Sequence, residues 1–293
     1  MIPKYFETAY ECCELCPRRC GVNRHEKKGF CKAGTEIMAA KAMIHLWEEP
    51  ALGERSGAIF FSNCTLKCVY CQNFKISHEG YGKVLTPEKL SNVFLRLQDE
   101  GAQNIDLVTP THYLPGILQA LELCKPKLKI PVVYNCGGYE RAEVLKLLEG
   151  YVDIWLPDVK YFDDERALRY SRAKDAFNVS CEALSEMIRQ KKAGSSKEVI
   201  VRHMVLPGGK DDSIALLRAL SKRFGTGDYL LSLMSQYTPF YKASECPEIN
   251  RRLTSYEYDR VLDEALRLGF SGFMQERTSA KEEYTPEFDL SGL

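Results

Sequence analysis

The sequence predicts an α/β fold in which a parallel sheet carries helices on its outside. Two observations lead there. From residue 57 onward, short apolar runs alternate with amphipathic stretches six times, and polar residues gather where the apolar runs end. Parallel neighbours need crossover connections, which helices supply. Polar strand exits mark barrels that carry their sites at the C-terminal face of the sheet.

"GAIFFSN" (57–63) reads as a short buried strand. The following helix begins at "LTPEKL", with Thr86 as N-cap and Pro87 in first position; Leu90, Val93, Phe94 and Leu97 repeat at helical spacing until Gly101. "QNIDLVT" (103–109) is the second strand and leads to a helix from about Leu114 to Cys124. "IPVVYNC" (130–136) is the third strand, and the helix "RAEVLKLLE" follows "GGYE". "VDIWLPDVKYF" (152–162) begins as a fourth strand before helical sequence over about 164–192. "KEVIVRHMVLPGG" (197–209) is the fifth and "DYLLSLMSQYTP" (228–239) the sixth. A helix over 254–269 and a short strand in "FSGFMQE" close the pattern, and the polar residues 277–293 read as a tail with one aromatic anchor.

The chain's 293 residues suffice for one barrel-sized domain, and its 40 basic and 40 acidic side chains balance. That balance supplies no bulk attraction to nucleic acid or anionic membrane, so neither is expected as a partner. The N-terminus lacks the pattern of a signal peptide, and no apolar run reaches about 18 residues, so a cytoplasmic protein is expected. Of 12 cysteines, eight fall in the first 71 residues, a clustering that in a reducing compartment points to metal rather than disulfides.

Three of them, Cys64, Cys68 and Cys71, sit in "CTLKCVYCQN" directly after the first strand. Three thiolates leave one corner of a cubic iron–sulfur cluster open. The Cys-x3-Cys-x2-Cys spacing, the aromatic Tyr70 before the last cysteine and the place after a first strand resemble the radical S-adenosylmethionine (radical SAM) enzymes. The resemblance implies a partial (β/α)6 barrel of the radical SAM type over residues 51–276, with 1–50 as a cysteine-rich extension. It also implies a [4Fe–4S] cluster on the three thiolates, with SAM chelating the fourth iron. Reductive cleavage of SAM at such a cluster gives methionine and a 5′-deoxyadenosyl radical that abstracts hydrogen from a substrate. A structural zinc site is the alternative reading of the triplet.

More narrowly, "PDVKYF", "VIVRHMVLPGGKDD" and "LMSQYTP" resemble the activating enzymes of glycyl-radical enzymes, in the PflX-like branch of pyruvate formate-lyase activating enzyme homologues. That implies a glycyl-radical-type protein as substrate and a one-electron donor such as flavodoxin or ferredoxin. A small molecule or another peptide is the alternative substrate, and a non-catalytic iron–sulfur or zinc protein is the rival from another class. By the same resemblance Asp158 and Lys160 contact SAM; an ordinary strand-end ion pair is their alternative. Tyr70 belongs with the SAM contacts. The superfamily often has Gly-Gly-Glu after the second strand to hold the methionine ammonium, whereas this chain has "LVTPTHYLP", leaving Thr109, with Thr111 and His112 nearby, to offer acceptors. Arg202 and His203 are strand neighbours and face opposite ways, with Arg202 favoured for the pocket. "NCGGY" (135–139) offers either close backbone approach to adenine or a tight turn, and Gln236 and Tyr237 lie near the predicted mouth. Cys124, Cys136, Cys181 and Cys246 read as isolated thiols.

Upstream, Cys13, Cys16, Cys20 and Cys31 follow a C-x2-C-x3-C-x10-C pattern, with Cys12 able to replace Cys13. Four soft ligands suit a closed second site, holding zinc or an auxiliary iron–sulfur cluster.

Overall fold

The computed structural model describes residues 2–275 and 286–293. Glu276 and residues 277–285 of the expected tail lie outside the described residues. Among the described residues the strands are β1 (Ile37–His45), β2 (Ser56–Phe61), β3 (Lys83–Leu85), β4 (Asn104–Val108), β5 (Val132–Cys136), β6 (Ile154–Pro157), β7 (Glu198–Met204), β8 (Leu230–Met234) and β9 (Gly272–Met274). The helices are α1 (Tyr5–Thr8), α2 (Phe74–Ser77), α3 (Pro87–Asp99), α4 (Leu114–Cys124), α5 (Ala142–Lys146), α6 (Asp164–Ser171), α7 (Ala176–Lys192), α8 (Lys210–Arg223) and α9 (Ser255–Leu268).

One sheet runs in the order β3-β1-β2-β4-β5-β6-β7-β8-β9 and does not close on itself. From β2 to β9 every neighbouring pair is parallel. This is the partial barrel expected from the sequence, six β–α units with a seventh short strand. Helical periodicity places the apolar face inward: Leu90, Val93, Phe94 and Leu97 of α3 are all buried. Thr86 accepts from the Lys89 N–H at 3.3 Å, and Thr254 with Glu257 forms a capping box on α9.

Several elements differ from the periodicity reading. Two antiparallel strands, β1 and β3, extend the sheet beyond β2. The stretch 37–45 thus joins the barrel sheet, although its run of small residues shows no clear alternation. The helix expected over 164–192 is two, because Arg172 and Asp175 both take left-handed backbone conformations between α6 and α7. Helix α5 closes after Lys146 in tighter i−3 bonds, among them Leu147 N to Val144 O at 3.0 Å. Residues 286–293 lie along the free edge of β1: Leu290 N donates to Ala40 O, Ala42 N donates to Ser291 O, and Phe288 is buried against Phe60.

Candidate active site

At the exit of β2, Asn63 takes a left-handed φ of 70° and turns the chain into the cysteine loop. Its amide donates to the Tyr113 hydroxyl at 2.8 Å and its backbone N–H to Ile76 O, which fix that turn. The loop is held against the C-terminal end of α6, with Lys67 N donating to Ser171 O and Val69 N to Tyr170 O. Cys64, Cys68 and Cys71 then line one cavity of about 310 Å³ inside the barrel.

Each sulfur has a polar neighbour. Leu66 N–H reaches Cys64 Sγ at 3.4 Å, Cys68 Sγ lies 3.0 Å from Ser171 Oγ, and Cys71 Sγ lies 3.2 Å from Ser77 Oγ. Ser171 in turn bonds the Tyr161 hydroxyl at 2.7 Å, and Tyr161 bonds the Tyr70 hydroxyl at 2.5 Å. Tyr70 therefore faces the cavity with its ring while its hydroxyl ends a relay that begins at Cys68. Burial pushes the Cys64 thiol up to about 12 and Cys71 to about 11, with the charge of Cys68 adding to both. Crowded apolar thiols ionise readily only when a cation takes up their charge.

The wall is built by successive parallel strands. Asp158, just past β6, takes the ammonium of Lys160 on one oxygen and Arg202 Nε at 2.8 Å on the other. Arg202 also donates to Asn135 Oδ1 at 2.5 Å, and Asn135 donates to Asp106 at 3.1 Å. Burial would raise Asp158, but the charges of Arg202 and Lys160 hold it below the usual carboxylate range. Asp106 goes the other way, raised by burial and then by Glu48. The exits of β5 and β6 approach so closely that a Cβ on Gly138, at φ 72°, would lie 1.7 Å from Asp158 O, so a residue with a Cβ does not fit there.

At the opposite end, the connection between β1 and β2 brings Glu48 and Glu49 into the same cavity. Their nearest approaches to Arg202 are 3.8 and 4.0 Å, outside hydrogen-bond distance. Burial raises Glu49 to about 7 despite Arg202.

Of the residues singled out from sequence, Tyr70, Thr109, Asp158, Lys160, Arg202, Gln236 and Tyr237 all line this cavity. Thr109 does so from a left-handed φ of 62°, an outlier for a β-branched residue. Thr111 and His112 do not. The Thr111 hydroxyl is spent on Glu140 at 2.8 Å, and His112, kept neutral by burial that lowers it to about 3, bonds Ser62 O at 2.7 Å. His203 turns away from the cavity to Val159 O and Ser213. Cys136 lines the cavity, and Cys124, Cys181 and Cys246 are buried elsewhere.

Cys13, Cys16 and Cys31 are buried and Cys20 is half-buried, while Cys12 is exposed. The charges of Cys31 and Cys13 bear on Cys16, and those of Cys13 and Cys20 on Cys31. Among the described residues, no three His, Cys, Asp or Glu side chains are arranged to hold a metal ion as they stand, and this applies equally to Cys64, Cys68 and Cys71.

The pattern of the radical SAM superfamily matches residues 58–220, from the first parallel strand into α8. The chain belongs to the radical SAM superfamily. It is 34% identical over 261 residues to an uncharacterised protein of Methanocaldococcus jannaschii, covering 86% of this chain and 73% of that protein. It is 30% identical over 134 residues to a pyruvate formate-lyase-activating enzyme of Clostridium pasteurianum, covering 42% of this chain and 54% of that enzyme. SuiB of Streptococcus suis, solved bound to S-adenosylmethionine, shares the fold with a TM-score of 0.53 at 13% identity. That match covers 73% of this chain and about half, 48%, of SuiB.

Membership implies a [4Fe–4S] cluster and SAM binding. The residues present fit both: three thiols with donors on each sulfur, and a cation and a carboxylate, share one cavity. No helix among the described residues is long and apolar enough to cross a membrane.

Proposed function

We propose that this chain abstracts hydrogen from a partner protein, a glycyl-radical-type enzyme, and so resembles pyruvate formate-lyase activating enzymes in activity as well as in sequence. The observation that carries the reading is the shared cavity of Cys64, Cys68, Cys71 and the Asp158–Lys160–Arg202 network. When bound, the cluster and SAM supply the electron and the 5′-deoxyadenosyl radical. The three thiolates bind the cluster, and Lys160 offers its ammonium to the SAM carboxylate. Tyr70, Thr109, Asp158 and Arg202 bound the same space, and the barrel wall excludes water from the radical. A flavodoxin or ferredoxin is the proposed electron donor and the cytoplasm the proposed location, consistent with 12 free cysteines. Mixing reduced, reconstituted protein and SAM with a candidate glycyl-radical enzyme tests the reading. A glycyl EPR signal on the partner supports it. Formation of 5′-deoxyadenosine without that signal leaves a radical SAM enzyme acting on another substrate.

Lys160→Ala is expected to weaken SAM binding while the cluster still assembles. A charge-assisted contact is worth about 1.5–3 kcal/mol, or roughly 10- to 150-fold in affinity. An unchanged SAM dissociation constant would confine Lys160 to its ion pair with Asp158.

We further propose that Cys13, Cys16, Cys20 and Cys31 hold a second metal, zinc or an auxiliary iron–sulfur cluster. Between α1 and β1 the chain contains no helix or strand and is ordered by turn bonds such as Cys13 N to Val22 O and Gly21 N to Cys13 O. It buries Arg24, whose guanidinium contacts His112 O and lies 4.0 Å from Cys13 Sγ. Arg18 stacks on Phe30 and feels Cys16, Cys20 and Cys64. Among the described residues neither arginine forms a salt bridge with a carboxylate, and an anionic thiolate site would balance them. Cys16→Ser should lower protease resistance of this segment while SAM cleavage persists. Wild-type protein holding the irons of a single cluster and no zinc would remove the second site.

A further inference from the structure

We infer that the end of the cavity formed by Glu48 and Glu49 is a substrate subsite that takes a cationic nitrogen group, a guanidinium or an ammonium. The inference rests on the proposed radical SAM reaction and names the chemistry its substrate presents.

Strand β1 runs antiparallel to β2 and places His45 opposite Ser56, the first residue of β2. The next residues along the connection, Glu48 and Glu49, therefore lie at the N-terminal end of the parallel strands, whereas the three thiols lie at the C-terminal exit. Both ends line one cavity. This places the carboxylates away from the cluster ligands, toward the part of the cavity beyond Arg202.

Their hydrogen-bonding capacity is only partly filled, since the one side-chain hydrogen bond that bears on Glu49 comes from Ser232. Glu49 is 8% exposed, and among the described residues its Oε2 has no hydrogen-bond partner. Glu48 has His45 Nε2 at 3.8 Å and Arg202 at 3.8 Å, both too long for hydrogen bonds. Arg202 commits Nε to Asp158 at 2.8 Å and one terminal nitrogen to Asn135 at 2.5 Å, and its other terminal nitrogen stays 3.8 Å from Glu48. A buried carboxylate oxygen without a donor is costly, and a ligand that brings donors relieves that cost.

The charges lead to the same assignment. Four carboxylates, Glu48, Glu49, Asp106 and Asp158, surround two cations, Lys160 and Arg202. His45 adds no charge at neutral pH, since burial lowers it. Fully ionised, the four acids would exceed the two cations by two charges; burial first, and the neighbouring carboxylates second, raise Glu49 and Asp106. A cation entering beside Glu49 lets it ionise, and a planar guanidinium can span two adjacent carboxylates.

The test uses the full, cluster-reconstituted chain with SAM present and three probes: agmatine, N-acetyl-glycyl-arginine amide, and the neutral citrulline isostere of that peptide. Equilibrium dialysis is expected to show saturable binding of a cationic probe at least about 10-fold tighter than the isostere. Glu49→Gln and Glu48→Gln should each erase that preference. Binding of the peptide assigns the cation to a peptide substrate, and binding of agmatine alone assigns it to a small molecule. Equal or undetectable binding of cationic and neutral probes to the wild-type chain overturns the inference, whatever the variants do. Formation of 5′-deoxyadenosine by the same preparation separates the two claims. Cleavage without probe discrimination removes only the subsite, and absence of cleavage removes the reaction it serves.

Discussion

Cys68→Ala is expected to abolish the SAM-binding cluster and reduce 5′-deoxyadenosine formation to background, as are Cys64→Ala and Cys71→Ala. Each change removes one of three thiolates from a cluster whose fourth iron needs an open position, so no ligand is redundant. A substitute sulfur is not at hand. Cys136 lines the same cavity, but burial, and then the charge of Glu140, push its thiol well up, so it does not readily ionise to replace a lost ligand. Cys68 also terminates the Tyr70–Tyr161–Ser171 hydroxyl relay, so its loss leaves that chain without its sulfur end. The measurements are iron content after reconstitution, expected to fall by about four per chain, and the SAM-dependent change in the EPR signal of the reduced cluster. Normal SAM cleavage by any of the three variants would sink the assignment of the triplet.

Much of the barrel was legible because its signals are local. The apolar stripe of α3, its Thr86 N-cap and the alternation of strand with helix each depend on residues a few positions apart. The cysteine triplet is likewise a spacing within eight residues. What stayed hidden depends on distant partners. Glu48 and Glu49 in "HLWEEP" look like a solvated acidic turn, and only the antiparallel pairing of β1 with β2 carries them under the barrel. Ser171 and Ser77 carry no sequence mark of their proximity to sulfur. Ser171 reaches Cys68 because α6 breaks at Arg172, a left-handed residue inside what periodicity reads as one helix. Thr111 and His112 illustrate the converse. Both are polar residues at a strand exit, where sites gather, yet their polar atoms serve Glu140 and the Ser62 carbonyl. Spacing can say which residues follow a strand, but not which of them another element will claim.

Arg202→Met is expected to destabilise the fold by about 3 kcal/mol near pH 8, the lower end of what breaking a buried ion pair costs. The lower end applies because the Arg202 side chain keeps 17% exposure, so cavity water screens part of its field. Methionine keeps the length of the side chain and fills the same wall, which isolates the effect of charge. The loss corresponds to a fall in Tm of about 6–12 °C for a domain of this size. Its pH dependence has a definite sign. In the wild-type chain Asp158 is held below its ordinary value of 3.8, so the stability it contributes is present above that value and is lost only as pH falls through its lower folded value. Removing the guanidinium lifts Asp158 and raises further Glu49, which already stands at about 7 against an ordinary 4.5. Acids that hold protons more tightly folded than unfolded favour the fold at low pH, and that advantage disappears as pH rises from the ordinary to the folded value. The deficit of the variant should therefore be largest above pH 7 and shrink toward pH 5. Melting curves of both proteins at pH 5, 6, 7 and 8 measure it. A deficit that is constant over this range would mean that Arg202 stabilises the barrel by packing, and that its charge is not what holds the four carboxylates together.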